Sequence, residues 1–261
     1  MVVIFAIPTS NQILNGVFIM VASLFLRSLQ SVLFTTPYAI ERKLEFSSEF
    51  IKRTKKIFTS DPTISTAPKN APPQMPRIEI KSPDQSHVAQ FSNNRITFHY
   101  QDTQNRRIPL NNVFPTFSDN LGRQIQCIME FLNPRVVRLG FIVRMITDLG
   151  YSANRFLSEE CLKDNPFPDA HEINLGILYK TNMRDFSINR WIRYRTLRAQ
   201  NDPSIDYAMA IEIDLNTLAE EMNNYPASSI LEFYQAAQEH ISENLGHFPL
   251  LGMDFQPGSE T

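Results

Sequence analysis

Glycine is scarce in this chain, at 8 residues in 261, and neither GxGxxG nor GxxxxGK followed by Ser or Thr occurs. Without such a loop, dinucleotide binding and P-loop phosphate binding are not indicated. HExxH, GxSxG and the protein-kinase signatures are missing too. No motif brings a nucleophile, a base and an orienting group together, so no catalytic residue and no cofactor is implied. Cysteine occurs twice, at Cys127 and Cys161, outside any CxxC or Cys/His cluster. That usage argues against a disulfide framework and a structural zinc site, and fits a reducing, cytoplasmic compartment. Charge of one sign is also lacking. A formal net charge of -2 gives no bulk attraction to DNA, RNA or an acidic surface, so a polyanion partner would need a local basic patch.

The N-terminus has no charged residue from Met1 to Leu26. It lacks the basic n-region of a signal peptide. Polar and Gly/Pro residues at 8–12 and at Asn15-Gly16 interrupt the run below the roughly 20 apolar residues that a span requires. Two buried strands, Val2–Ile7 and Val17–Leu26, are expected there, with a membrane anchor as the alternative and no membrane contact as the working reading.

What is present is 43% apolar residues, enough for a sizeable core, in an alternation of strand and helix patterns. Ser47-Ser48-Glu49 reads as the start of a helix, with Phe50, Ile51, Thr54, Ile57 and Phe58 on one face. Residues 60–76 carry five prolines and read as an exposed loop. Strands are expected at Arg77–Lys81, Val88–Phe91 and Ile96–Tyr100. Ser118-Asp119-Asn120 then caps a helix bearing Leu121, Ile125, Ile128 and Leu132. The second half repeats the order. Val136–Ile146 is a strand, a short helix follows around Asn154–Leu162, and strands run through Ile173–Tyr179, Phe186–Leu197 and Tyr207–Leu215. Thr217–Glu220 and Ser229 with Glu232 have capping-box spacing, the second opening a last helix with Ile230, Tyr234, Ala237 and Ile241. Phe91-Ser92-Asn93-Asn94-Arg95 resembles Phe186-Ser187-Ile188-Asn189-Arg190 at four of five positions. The repeated order and this short match point to an internal duplication.

The expected architecture is therefore α+β, in two tandem strand–helix–antiparallel meander–helix halves. They cover residues 1–132 and 133–250, with 251–261 a tail, and their sheets can join edge to edge into one curved sheet with helices on one side. The length, the element order and the pattern Phe186-Ser187-Ile188-Asn189-Arg190, Ile211-Glu212-Ile213-Asp214 and Ile230-Leu231-Glu232-Phe233-Tyr234 resemble a sporadically distributed bacterial family of about this size. That family has a duplicated α+β pattern and no assigned activity. The resemblance carries over no catalytic residue, and the lack of any catalytic motif makes a non-catalytic binding or protein-interaction protein, with a protein partner, the expected function.

Three constellations carry some chemistry. Trp191, Arg193 and Arg195 share one face of a strand, with Arg190, Tyr194 and Arg198 beside them. Arginines interleaved with aromatics on a sheet can neutralise phosphates and stack bases, so a nucleic-acid-binding module is one alternative function. Glu212 and Asp214 alternate with Ile211, Ile213 and Leu215, which places both carboxylates on one face. Such a pair can hold a metal for a hydrolase, the other alternative. Asp164, Asp169, His171 and Glu172 cluster in a Pro-rich loop, where a solvated loop and a metal site compete as readings.

Overall fold

The computed structural model describes residues 23–54, 57–66, 68, 70–149, 152–162, 172–198, 208–221 and 223–244. The expected strand at 2–7, most of that at 17–26, the tail, and Asp164, Asp169 and His171 lie outside them.

The described chain is α+β. One antiparallel sheet of nine strands runs β2-β3-β4-β5-β1-β6-β9-β8-β7. In chain order the elements are β1 (Ser23–Thr35), α1 (Lys43–Thr54), β2 (Thr63–Ile64), β3 (Ile78–Lys81), β4 (His87–Phe91), β5 (Arg95–Gln101), α2 (Leu110–Phe131), β6 (Val136–Asp148), α3 (Ala153–Cys161), β7 (Asn174–Met183), β8 (Phe186–Leu197), β9 (Ala208–Thr217) and α4 (Ala227–Asn244). Apart from the two-residue β2, the order reads the same outward from the β1–β6 junction. Each half puts its first strand at the centre and its last meander strand beside it. The two halves share one core, and β1 and β6 pair antiparallel from Ser23↔Asp148 to Thr35↔Val136.

Period-two alternation decides which residues enter that core. On β1, Leu29, Ser31 and Leu33 take one side, opposite Tyr100, Phe98 and Ile96 of β5 and Val143, Phe141 and Leu139 of β6. The helices pack on this side. Phe46 and Phe50 of α1 meet Phe91 edge-on at 4.9 and 5.2 Å. Phe114 and Phe117 of α2 and Tyr234 of α4 converge on Phe141. Phe233 meets Phe186 at 5.4 Å, and Phe156 and Leu157 of α3 join the same core. The buried Tyr234 hydroxyl donates to the Val32 carbonyl at 3.0 Å, tying α4 to the central strand. No described helix is long and apolar enough to cross a membrane.

Several expected boundaries move, each for a packing reason. The strand expected to end at Leu26 continues to Thr35, because β5 and β6 pair with it on both sides. The helix expected to start after Ser118 begins at Leu110 and runs through Pro115. Leu110, Val113, Phe114, Phe117 and Leu121 form one apolar stripe, all buried, and their burial outweighs the helix-breaking tendency of the proline. The first helix begins at Lys43, ahead of Ser47-Ser48-Glu49, because Phe46 enters the core with Phe50. The last helix begins at Ala227, immediately after Pro226, so Ser229 lies inside its first turn and does not cap it. Thr217 caps no helix. It ends β9, its hydroxyl accepting from the Leu139 amide at 3.0 Å. The Phe-Ser-x-Asn-Arg copies do not occupy equivalent places. Phe91 ends β4 and Arg95 opens β5, whereas Phe186 opens β8, the counterpart of β4. The second-half turn falls at Arg184–Asp185, ahead of the motif, so the match is one of sequence only. The duplicated order of elements stands without it.

Candidate functional site

The sheet face turned away from the helices carries no described helix. Register places its side chains in transverse rows. One row holds Asn189, Asn216, Gly140, Val32 and Thr97. The next holds Leu178, Trp191, Asp214, Ile142, Gln30 and His99, and the one after it Gly176, Arg193, Glu212, Arg144 and Ser28. Beyond these come Arg195, Ala210, Ile146 and Phe25. At the opposite end Arg138, Phe34 and Arg95 stand in register.

Trp191, Arg193 and Arg195 therefore share the open face. Arg190 and Tyr194 do not. Period two turns both toward the helices, where Tyr194 is fully buried and Arg190 lies 4.8 Å over the Tyr179 ring with its Nη1 3.1 Å from His240 Nε2 of α4. On that ground these two positions do not belong to the face.

Glu212 and Asp214 project side by side on the open face. Arg144 Nε donates to Glu212 at 2.6 Å, and Arg193 donates to Glu212 from the other side. Arg193 also lies 3.6 Å from Asp214, which accepts from Asn216 Nδ2. Burial raises the Asp214 carboxyl pKa above its ordinary value, against the opposing pull of Asn216 and Arg193. The carboxylate lone pairs that a metal would use are turned to arginines and an amide. Among the described residues no three His, Cys, Asp or Glu side chains come together to hold a metal ion. Cys127 is buried, which pushes its thiol pKa up to about 11 and away from thiolate chemistry.

The middle of the face is thus charge-paired while its ends are not. Arg95 and Arg138 lie 5.5 and 4.9 Å over the Phe34 ring, and neither forms an ion pair among the described residues. Arg138 Nε donates to the Thr217 carbonyl at 3.1 Å, which fixes its head. Gly140 leaves room for the Asn216 side chain beside this cluster. A Cβ there would stand 2.7 Å from Asn216 Oδ1 and 3.6 Å from the Phe34 ring. At the other end Arg195 is exposed and likewise has no ion pair among the described residues. It borders a recess of about 650 Å³ that also takes in Arg144, Arg193 and Gly176. Trp191 is half-buried with Arg193 5.0 Å over its ring.

Arg95, Arg138, Arg144 and Phe34 belong to the face although no motif marks them in the sequence. Arg138 and Arg144 stand an even number of residues apart on one strand, and that spacing is the signal that points to a shared face.

His99 on this face, and His87 and His240 on the helix side, all have imidazole pKa values lowered by burial. Folded pKa values below the unfolded value of about 6.5 mean that the unfolded chain binds these protons first. Stability present above pH ~6.5 is therefore expected to fall as pH drops through and below that value. Thermal melts between pH ~8 and ~5 check this, and a midpoint that does not fall over that range would contradict it.

No family model matches the chain, and no curated protein matches it. Among solved structures it is similar to a rolling circle replication initiator protein from Geobacillus stearothermophilus, at 11% identity and a TM-score of 0.33, over 87% of this chain and 84% of that one.

Proposed function

We propose that the open sheet face binds single-stranded nucleic acid without catalysing a reaction. The observation that supports this reading most is the placement of Arg95, Arg138 and Arg195. They stand without ion pairs among the described residues, at the two ends of one face that carries no described helix, around a charge-paired middle that holds Trp191. Arg138 and the Arg195 row lie eight residues apart along β6, about 27 Å at ~3.4 Å per residue. A flexible polyanion lying along the strands would meet guanidinium groups at both ends. Its bases would meet Trp191, Gln30 and His99 between them. The net charge of -2 makes this a local attraction and not a bulk one.

The test is a fluorescence-anisotropy titration of the full chain with single-stranded DNA, single-stranded RNA and duplex DNA at about 50 and about 200 mM salt. Binding of the single strands that weakens with salt is the expected result. No binding at the lower salt removes the reading and leaves a protein partner for this face.

One variant is expected to move the other way. Glu212→Gln removes the carboxylate that Arg144 and Arg193 share, leaving Arg144 without an ion pair among the described residues and Arg193 with Asp214 alone at 3.6 Å. Single-strand affinity should rise, and the salt slope should steepen by about 0.7 to 1.4, at ~0.7 for each further phosphate neutralised. An unchanged or weakened affinity would place the binding surface elsewhere.

A further inference from the structure

At the end of the open face beyond Arg195, the β5–α2 loop closes a second recess of about 410 Å³ against the ends of β1, β6, β8 and β9. We infer that this recess binds a phosphomonoester carried on a planar ring, as in a nucleotide, with Arg107 and Arg198 holding the phosphate. The binding of the free ligand stands apart from the function proposed above. Only its second source, the phosphorylated end of a strand, rests on that reading.

The loop is held firmly. The Asp102 amide donates to the Arg27 carbonyl at 3.0 Å, and Arg27 Nη1 donates back to the Asp102 carbonyl at 3.1 Å. The Leu26 amide donates to the Ile108 carbonyl at 3.0 Å, and Arg106 Nε donates to the buried Asp102 carboxylate at 3.3 Å. Between these anchors the backbone is strained. Asn105 and Arg107, neither of them glycine, have φ of 50° and 53°. Left-handed non-glycine residues persist where surrounding contacts over-determine them, and they gather at ligand sites. Here the strain presents Arg107 5.3 Å over the Phe25 ring and exposes Asn105 at the recess.

Charge selects the ligand. Arg107 and Arg198 are exposed and have no ion pair among the described residues. Of the two carboxylates at the recess, Asp102 is taken by Arg106, and Asp148 has an interaction of its own. Two uncommitted guanidinium groups favour a dianionic phosphomonoester, with its several acceptor oxygens, over a carboxylate. Phe25, Ile146, Leu197 and Ala208 supply an apolar wall for a flat ring. The volume lies within the range of small-ligand sites.

The test uses the full chain and two probe sets. Calorimetry compares a free 5′-mononucleotide, the corresponding nucleoside and inorganic phosphate. Anisotropy compares a single strand with a 5′-phosphate, a 3′-phosphate or hydroxyl ends. Arg107→Gln and Arg198→Gln serve as separate variants, each checked for unchanged circular dichroism. The mononucleotide should bind about a hundredfold more tightly than the nucleoside, and each variant should lose about tenfold, the size of one charge-assisted hydrogen bond. If only the strand with a terminal phosphate gains affinity, and the variants abolish the gain, the ligand is a strand end and the inference holds. If the mononucleotide binds but no strand does, the inference holds and the proposed function fails. Strand binding indifferent to terminal phosphate, together with no preference for nucleotide over nucleoside, overturns the inference and leaves the proposed function standing.

Discussion

Phe141→Ala is expected to lower the free energy of unfolding by about 3–5 kcal/mol. Phe141 lies in the middle of β6, one of the two strands at which the halves meet, and is fully buried. Its ring has Phe114 at 6.2 Å and Phe117 at 6.3 Å on α2, and Tyr234 at 5.9 Å on α4. Truncation removes the transfer free energy of the ring and leaves a cavity that α2 and α4 together must fill. Each is constrained from collapsing, α4 by the Tyr234 hydroxyl bond to Val32 and α2 by the Ser118 bond to Gln238. Urea unfolding of wild type and variant at one pH measures the change, and Phe141→Leu should recover most of it. A loss below about 1 kcal/mol would mean that the helices do not depend on β6 for their seat, and the single shared core would be wrong.

Replacing Arg95, Arg138 and Arg195 together by Ala is expected to flatten the salt slope of single-strand binding by about 2, at ~0.7 for each phosphate no longer neutralised. These cations of the open face form no ion pair among the described residues, so their charge is the part most available to a polyanion. Arg144 and Arg193 already share Glu212 and contribute less. Folding stability should change little from Arg195, which is exposed. Arg95 and Arg138 also pack on Phe34, so removing them carries a modest packing cost. The single Arg195→Ala variant, expected to flatten the slope by about 0.7, separates the charge effect from that packing effect. Trp191→Ala adds an effect of another kind, about 1–3 kcal/mol of affinity with the salt slope unchanged, if a base stacks on it. A triple variant that binds with the slope of wild type would exclude this face as the binding surface.

The sequence by itself determined those elements whose residues carry one clean period. Phe186–Leu197 is legible to the residue because Phe186, Ile188, Ile192 and Tyr194 recur at even spacing on the face in the core, interrupted there only by Arg190. The same alternation puts Trp191, Arg193 and Arg195 together and sets Glu212 beside Asp214. The end of β1 is not legible in this way. Ser31 faces the core and Val32 the open side, and both are buried, so burial on both faces erases the period-two contrast. Helix starts mislead because Ser-, Asp- and Glu-rich segments look like caps in one dimension, while the buried aromatic stripes of α1 and α2 extend past them. Only the tertiary structure decided which charges are neutralised. Arg193, Glu212, Arg144 and Asp214 lie on three strands up to 70 residues apart in sequence, and only pairing of β6, β8 and β9 brings them together. The same pairing leaves Arg95, Arg138 and Arg195 without ion-pair partners among the described residues, a property of register across the sheet that no local pattern along the chain contains.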